Sequence, residues 1–159
     1  MANPFAGTKF YAKLGNRFTR PLWSRLRPPQ GFGVITTVGA KTGTPRPWSV
    51  RAIRRGSRVY VVCMLGEKAA WLKNVRANPR VALRLRDGSF QGIARELADG
   101  RERDEAIDVY VGTVVPNDWM DYLVYHWRIP TRSRIADAHR RWFDDGVPLV
   151  VELIEDADG

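Results

Sequence analysis

The sequence predicts a mainly β protein with flanking helices, an α+β fold built on an antiparallel barrel. Three observations lead to this prediction. Apolar and polar residues alternate over short runs, which is the two-residue period of strands with one buried face. Glycine-containing turns separate these runs, as in hairpins. One short helical pattern lies between two such hairpin regions, and this order of hairpins around one helix suits an antiparallel barrel.

The first three strands follow one another closely. Phe32 to Val38 is rich in β-branched residues and ends at a loop, and Pro47 to Arg54 follows as the second strand. Arg55-Gly56-Ser57 forms a hairpin turn, because glycine permits the positive φ that tight turns require. Arg58 to Met64 then returns as the third strand.

A short helix and a second hairpin come next. The helix runs from Ala69 to Ala77 and stops at Asn78, because Pro79 disfavours helical backbone in the residue before it. Apolar residues then alternate with arginines from residue 80 to residue 86, which predicts a half-buried strand with a basic outer row. After a glycine turn, Phe90 to Glu96 pairs back.

Helical patterns dominate the last third of the chain. Arg101 to Val111 has the spacing of a helix and a polar, acidic composition. Thr131 to Phe143 is a further helix that Gly146 stops, and Val147 to Ile154 is a last, strongly apolar strand.

Between these two helices lies an aromatic helix. Asn117 or Asp118 is the expected N-cap, since both side chains can accept hydrogen bonds from the first helical N–H groups. Residues 119–127 are aromatic or apolar on nearly every face. We therefore expect this helix to lie between the barrel and a second subunit or the cofactor pocket.

The N-terminal segment, residues 1–30, is basic and amphipathic, whereas residues 31–159 form the barrel as one domain. Phe10, Leu14 and Phe18 recur at helical spacing. Two interpretations stay open: a helix packed across the mouth of the barrel, or a peripheral contact of residues 1–27 with an anionic membrane surface.

We expect the protein to be cytoplasmic, with peripheral contact at the inner face of the membrane as the alternative. No apolar stretch approaches the roughly 20 residues that a membrane-spanning helix requires, and the N-terminus lacks the apolar core of a signal peptide. Cys63 is the single cysteine and lies in an apolar run, so it is expected to be buried and reduced.

Charge is divided unevenly along the chain. Residues 1–86 hold 18 Lys and Arg against one acid, Glu67, a net charge of +17, whereas the remainder has a net charge of −8. Such a concentration of positive charge attracts anions and favours a ligand with several phosphates or carboxylates.

The loop from Thr36 to Arg46, TTVGAKTGTPR, lies in this basic half. Its two glycines allow the backbone to approach a ligand closely, while Lys41 supplies a cation, Thr42 a hydroxyl and Arg46 a planar guanidinium. The pattern predicts an anion-binding loop.

Other chemistries lack support in the sequence. Two histidines and one cysteine at unrelated spacings do not make a metal site, so no metal ligands are predicted. There is no GxSxG elbow and no P-loop. Little acid or base chemistry is present in the basic half, which is consistent with a redox enzyme whose cofactor carries the reaction.

Two separated motifs, TTVGAKTGTPR and AAWLKNVRANP at residues 69–79, resemble those of the deazaflavin-dependent nitroreductase family. This family belongs to the FMN-binding type of split β-barrel oxidoreductases. The resemblance covers roughly residues 30–97 well. Ala40 stands where the family often has Arg, and residues 64–68 replace its usual Ser- and Gly-rich segment.

The resemblance implies a set of site residues. The phosphate and carboxylate tail of the cofactor would be bound by Lys41, Thr42, Gly43 and Arg46, and Asn74 would offer a further donor. Trp71 would either contact the cofactor or anchor the helix in the core. The ring-side segment corresponds to Met64, Gly66 and Lys68. For the acceptor pocket and its proton donor, the candidates are Tyr122 and Tyr125, with His126 as a substitute.

The function implied is hydride transfer from reduced coenzyme F-420 to a planar, electron-poor acceptor, a quinone or a nitro compound. One alternative is the same barrel with FMN or another planar cofactor. A second alternative, from another class, is a basic module that binds nucleic acid or an anionic surface, although no recognition helix or aromatic platform motif supports nucleic-acid binding. A homodimer is expected by analogy with other split barrels.

Overall fold

The computed structural model describes Arg17, Pro21, Leu22 and residues 25–154. From Phe32 onward, this part of the chain contains six strands and four α-helices. In chain order they are β1 (Phe32–Val38), β2 (Pro45–Arg55), β3 (Arg58–Cys63), α1 (Ala70–Ala77), β4 (Arg80–Leu85), β5 (Gly88–Glu96), α2 (Arg101–Gly112), α3 (Pro116–His126), α4 (Arg132–Asp145) and β6 (Val147–Ile154). A short 3-10 turn, Gly66–Lys68, precedes α1.

The strands close into a barrel in the order β1-β2-β3-β6-β5-β4, and all neighbours are antiparallel. The predicted antiparallel barrel with flanking helices is confirmed. Its strand boundaries differ slightly from those predicted: β2 begins at Pro45, because the β1–β2 ladder continues to the pair Val38 and Pro45, and β3 ends at Cys63.

The barrel has two apolar layers because residues on a strand alternate between its faces. Side chains such as Val59 and Val61 fill the interior together with residues of α1. The alternate residues Tyr60 and Val62 face outward and pack in a second cluster with residues of α2 and α4. Strand β3 is therefore apolar on both faces, which explains its continuous apolar run.

The predicted cap of α3 is wrong. The N-cap is Val115, and neither Asn117 nor Asp118 occupies that position. Asp118 is the third helical residue, and its carboxylate accepts a hydrogen bond of 2.8 Å from the Val115 N–H. Pro116 occupies the first helical position, so the cap is Val115, two residues before Asn117 and three before Asp118, and Asp118 satisfies a terminal donor from inside the helix.

The prediction for residues 1–27 falls largely outside the described part of the chain, and Phe10, Leu14 and Phe18 lie outside it entirely. Among the helices that are described, none is long and apolar enough to cross a membrane.

Candidate functional site

The loop between β1 and β2 is held in one conformation by its own backbone. The Gly43 N–H donates to the Gly39 carbonyl at 2.8 Å, and the Gly39 N–H donates to the Thr44 carbonyl at 2.8 Å. Gly43 has φ +67°, a left-handed conformation that favours glycine, and a Cβ on Gly39 would lie 2.6 Å from the Thr42 Oγ1. Both glycines are therefore required by the turn itself.

Asn74 ties this loop to α1. Its Oδ1 accepts a 3.0 Å hydrogen bond from the Ala40 N–H, and its Nδ2 donates to the Thr37 Oγ1 at 3.1 Å. The side chain is buried, so these hydrogen bonds replace those that its amide would otherwise make with water. Asn74 thus fixes the position of the loop, in addition to any donor that it offers to a ligand.

A cleft of about 730 Å³ opens between this loop, the start of β2 and α1. Lys41, Arg46 and Lys73 line it, and all three are exposed. Within the described part of the chain, no carboxylate lies within ion-pair distance of any of them. The half-buried indole of Trp48 adds an aromatic wall. The cleft combines cations with a planar apolar surface.

Glu67 is the acid nearest in sequence to this cleft, and it pairs with an arginine that does not line the cleft. Both carboxylate oxygens of Glu67 accept hydrogen bonds from the Arg76 guanidinium, one of them at 2.8 Å, and these bonds lower the pKa of Glu67. Arg76 also donates to Glu96 at 2.8 Å. Glu67 therefore stays ionised but paired, and the cations of the cleft keep their net positive charge.

The structure brings together Lys41, Thr42, Arg46, Trp71 and Asn74 at the cleft, with Gly43 in the adjoining turn. Trp71 is only 4% exposed and belongs to the barrel core. In this position Trp71 anchors α1 on the barrel core, although it also contributes to the lining of the cleft. The Thr42 hydroxyl lies 2.8 Å from that of Thr44.

The residues predicted to contact the ring of the cofactor do not lie at the cleft. Met64 packs on the outer apolar cluster beneath α2 and α4, and Gly66 and Lys68 lie in the 3-10 turn before α1. They do not line the cleft. Their role in cofactor binding stays a prediction without support from this arrangement.

Two lining residues, Trp48 and Lys73, were missed by the sequence analysis. A signal for each was present. Trp48 lies two residues after Arg46 on the same strand and so shares its face, and Lys73 directly precedes Asn74 on α1.

Tyr122 and Tyr125 line a separate cavity of about 10 Å³ between α3 and α4, which has room for at most one water molecule. Tyr122 is buried and stacks on His126, with ring centroids 4.3 Å apart. The predicted catalytic role of these tyrosines stays a prediction, since the structure does not bring them to the cationic cleft.

Beside this cavity lies a buried charged group that the sequence did not predict. The Arg51 Nε is 3.4 Å from the Asp118 Oδ1, and its other nitrogens donate to the Tyr110 and Thr113 carbonyls at 2.7 and 2.5 Å. The His139 Nε2 lies 3.6 Å from the same Asp118 oxygen. Arg51 and His139 thus hold the carboxylate of Asp118 from two sides.

The surroundings shift the pKa values of this group in a consistent way. Burial lowers the pKa of His139, which favours the neutral imidazole. Burial alone would raise the pKa of Asp118, but its bonds with His139 and Arg51 outweigh that effect and lower it. For Asp121, burial and the neighbouring Asp118 charge raise the pKa to about 6. Burial also raises the pKa of Tyr125.

Among the described residues, no group of three His, Cys, Asp or Glu side chains could hold a metal ion.

Comparison with known proteins gives a family and a fold. The model of the F420H2-dependent quinone reductase family, whose name refers to reduced coenzyme F-420, matches residues 25–136, more than half of the chain. A solved F420-H2 dependent reductase, FDR-A, is 22% identical, with 80% of this chain and 98% of that chain covered and a TM-score of 0.52. A protein solved as a domain-swapped dimer is 19% identical over 86% of this chain and 94% of its own, with a TM-score of 0.53.

The fold is not confined to reductases. The heme storage protein HutZ of Vibrio cholerae is 13% identical, with 86% of this chain and 90% of that chain covered and a TM-score of 0.51. At such low identities these likenesses show the fold alone, and they agree with the split β-barrel that the sequence predicts.

Proposed function

The chain belongs to the F420H2-dependent quinone reductase family and is an oxidoreductase that uses coenzyme F-420, and we propose that it transfers a hydride from the reduced coenzyme to a planar, electron-poor acceptor. The acceptor class that we propose is a quinone or an activated nitro compound. The observation that carries the proposal is the cleft where three exposed cations, Lys41, Arg46 and Lys73, lie beside the indole wall of Trp48.

The donor set of the cleft fits the coenzyme. F-420 carries a phosphodiester and an oligoglutamate tail, and Lys41, Arg46 and Lys73 offer charge-assisted hydrogen bonds to such anions. The flat face of Trp48 suits a planar ring system. Bound F-420 supplies the hydride, while the residues of the chain bind and orient it.

Each lining group has a distinct task in this proposal. The cations bind the anionic groups of the ligand, and the Asn74 amide keeps the loop in place so that the backbone that carries Lys41 need not be ordered on binding. Trp71 keeps α1 at a fixed distance from the barrel. Such preorganised placement of donors is what a protein contributes to cofactor chemistry.

Titration with oxidised F-420, with FMN and with a single-stranded oligonucleotide tests the proposal. Intrinsic fluorescence is followed at two salt concentrations. We expect one F-420 per chain, weaker binding of FMN, and only a modest response to salt. Oligonucleotide affinity that falls steeply and linearly with the logarithm of salt concentration, without saturable F-420 binding, would instead favour the basic binding module.

We also propose Tyr122 and Tyr125 as candidates for the proton donor, on the family resemblance alone. Under this proposal Tyr125→Phe lowers turnover several-fold and leaves F-420 affinity nearly unchanged, because only a phenol proton is lost. Steady-state kinetics with a quinone, together with the same titration, decides this. Full turnover in Tyr125→Phe would assign the residue to the packing of α3 on α4.

The homodimer and the division at residue 30 stay predictions. The domain-swapped dimer among the similar structures is a property of that protein. The contact of residues 1–27 with a membrane also stays a prediction, since nearly all of those residues lie outside the described part of the chain.

A further inference from the structure

Helix α3 buries one face and exposes the other. Its inner face packs on α4 through Tyr122, which contacts the cluster of Ile135 and Ala138. Its outer face is apolar and open. We call the following residues the α3 outer face, given with their exposed fractions: Trp119 40%, Met120 60%, Leu123 47%, Val124 54%, Trp127 69% and, just beyond the helix, Ile129 76%.

These residues form a patch and are not scattered. Positions 119, 120, 123, 124 and 127 share one side of a helix, because side chains three and four residues apart are neighbours. Of the nine large hydrophobic side chains that are exposed in the described part of the chain, six belong to this face. A concentrated apolar surface of this kind marks a binding surface, whereas single exposed hydrophobic residues do not.

Cations border the α3 outer face at its C-terminal end. Arg128, Arg132 and Arg134 are all exposed. The guanidinium of Arg134 donates to the Ile129 carbonyl at 2.9 Å and so lies next to the patch. Asp121 is the only acid between residues 119 and 134, and it faces the cavity on the inner side of α3.

This distribution of charge argues against a second copy as the occupant. A two-fold interface would place the α3 outer face of one copy against that of the other, with the three arginines of each copy at the border of the contact. The segment from Trp119 to Arg134 offers no exposed acid with which those arginines could pair. Such an interface would therefore take arginines out of water without offering them a counter-charge from this segment, which opposes association.

An anionic bilayer surface complements the α3 outer face. Indole rings prefer the depth of the headgroups, and arginines are attracted by anionic lipids. A helix with an apolar aromatic face and basic neighbours lies in the plane of the interface. At eleven residues, α3 does not span a bilayer.

We propose that the α3 outer face, together with Arg128, Arg132 and Arg134, binds the surface of a membrane that contains anionic lipids. This inference differs from the predicted contact of residues 1–27 and does not depend on hydride transfer, because the cationic cleft lies elsewhere on the barrel. If the acceptor is a lipid-soluble quinone, such binding places the enzyme where that acceptor is dissolved.

Flotation with lipid vesicles tests the proposal on the full chain. Vesicles of phosphatidylcholine alone are compared with vesicles of equal parts phosphatidylcholine and phosphatidylglycerol. We expect binding to the anionic vesicles only, with a blue shift of tryptophan emission. Leu123→Ser combined with Trp127→Ser should lower the partition coefficient by at least about tenfold, since two inserted side chains are lost. Arg128→Glu combined with Arg132→Glu should lower it by a similar factor.

Matched control variants separate this surface from others. Ile154→Ser removes an exposed hydrophobic side chain elsewhere, and Arg55→Glu with Arg86→Glu reverses two exposed charges elsewhere. Both should bind vesicles as the unmodified chain does. Circular dichroism and the F-420 titration verify that every variant is folded.

Two outcomes would overturn the proposal. Vesicle binding at full strength by both the double serine variant and the double glutamate variant of this surface would move the contact to another part of the chain. A dimer in light scattering that Leu123→Ser with Trp127→Ser converts to a monomer would show that a second copy covers the α3 outer face.

Discussion

At the scale of single residues, the site depends on which cations lack a partner. Arg54, Arg76 and Arg95 each pair with an acid, whereas Lys41 and Lys73 at the cleft have no carboxylate within ion-pair distance in the described part of the chain. An unpaired cation binds an incoming anion without first losing a protein partner. What marks the cleft within so basic a half of the chain is that three such cations, Lys41, Arg46 and Lys73, converge beside the indole of Trp48.

Lys41→Ala and Lys73→Ala should each weaken F-420 binding by about 1 to 3 kcal/mol, because a charge-assisted bond is lost. Lys68→Ala is the matched control: Lys68 lies in the 3-10 turn and does not line the cleft, so its removal should change affinity little. Fluorescence titration measures all three. A loss in Lys68→Ala as large as in Lys73→Ala would restore Lys68 to the site and contradict the arrangement described above.

Asp121 gives the protein a pH-dependent stability. Its pKa is raised to about 6 by burial, so the folded chain holds this proton more tightly than the unfolded chain does. The free energy of unfolding should therefore fall as pH rises from about 4 to about 6, because the side chain ionises less favourably in the folded chain than in the unfolded chain.

Asp121→Asn should remove that cost. We expect the variant to be more stable than the original chain by about 1 to 3 kcal/mol at pH 8 and equally stable at pH 4. Urea unfolding at both pH values measures the difference. Asp137→Asn replaces an exposed aspartate of α4 and serves as the control; it should change the free energy of unfolding little.

At the scale of elements, the decisive arrangement is the attachment of the β1–β2 loop to α1. The loop closes on itself through two backbone hydrogen bonds, and Asn74 fixes its position relative to the helix that carries Lys73. The two motifs that carry the family resemblance are thus parts of one binding unit.

Asn74→Ala should detach the β1–β2 loop from α1. The Ala40 N–H and the Thr37 hydroxyl lose their partner, which should lower the free energy of unfolding by about 1 to 3 kcal/mol and weaken F-420 binding as well. Asn78→Ala is the control, since its side chain makes only a local bond to the Arg80 N–H. Hydrogen exchange at Ala40 should rise in Asn74→Ala alone; protection equal to that of the original chain would show that the loop needs no tether.

At the scale of the whole molecule, a buried ion pair joins the helical layer to the barrel. Arg51 lies on β2, yet its guanidinium contacts the end of α2 and the carboxylate of Asp118 on α3, and it lies 4.5 Å from the centre of the Tyr110 ring. Both side chains of the pair are 2% exposed. The position of α3, and with it the α3 outer face, depends on this contact.

Arg51→Met should therefore destabilise the protein by about 3 to 5 kcal/mol, because Asp118 would be left buried with less compensation. Arg54→Met, three residues away on the same strand, removes an exposed pair with Asp87 and should cost less than about 1 kcal/mol. Urea unfolding compares the two. Equal losses would show that burial does not govern the contribution of these arginines.

Much of the fold follows from local sequence. β1 and β6 have the predicted bounds, since strand period, turn glycines and β-branched residues all lie within a few positions of one another. The boundary of β2 was missed because it depends on pairing with β1 across a loop. Lys41, Thr42, Arg46 and Asn74 gather at one cleft as the motifs suggested.

The sequence by itself determined the barrel class, the family and the loop that carries the cleft, because each of these rests on short-range patterns of residues. Only the tertiary structure decided that Asn74 tethers the loop, that Arg51 is buried against Asp118, and that Tyr122 and Tyr125 lie in a separate cavity. The Arg51 and Asp118 positions are 67 residues apart. The energetics of a buried polar group depend on its partner, and a partner so distant along the chain becomes visible only when the chain has folded.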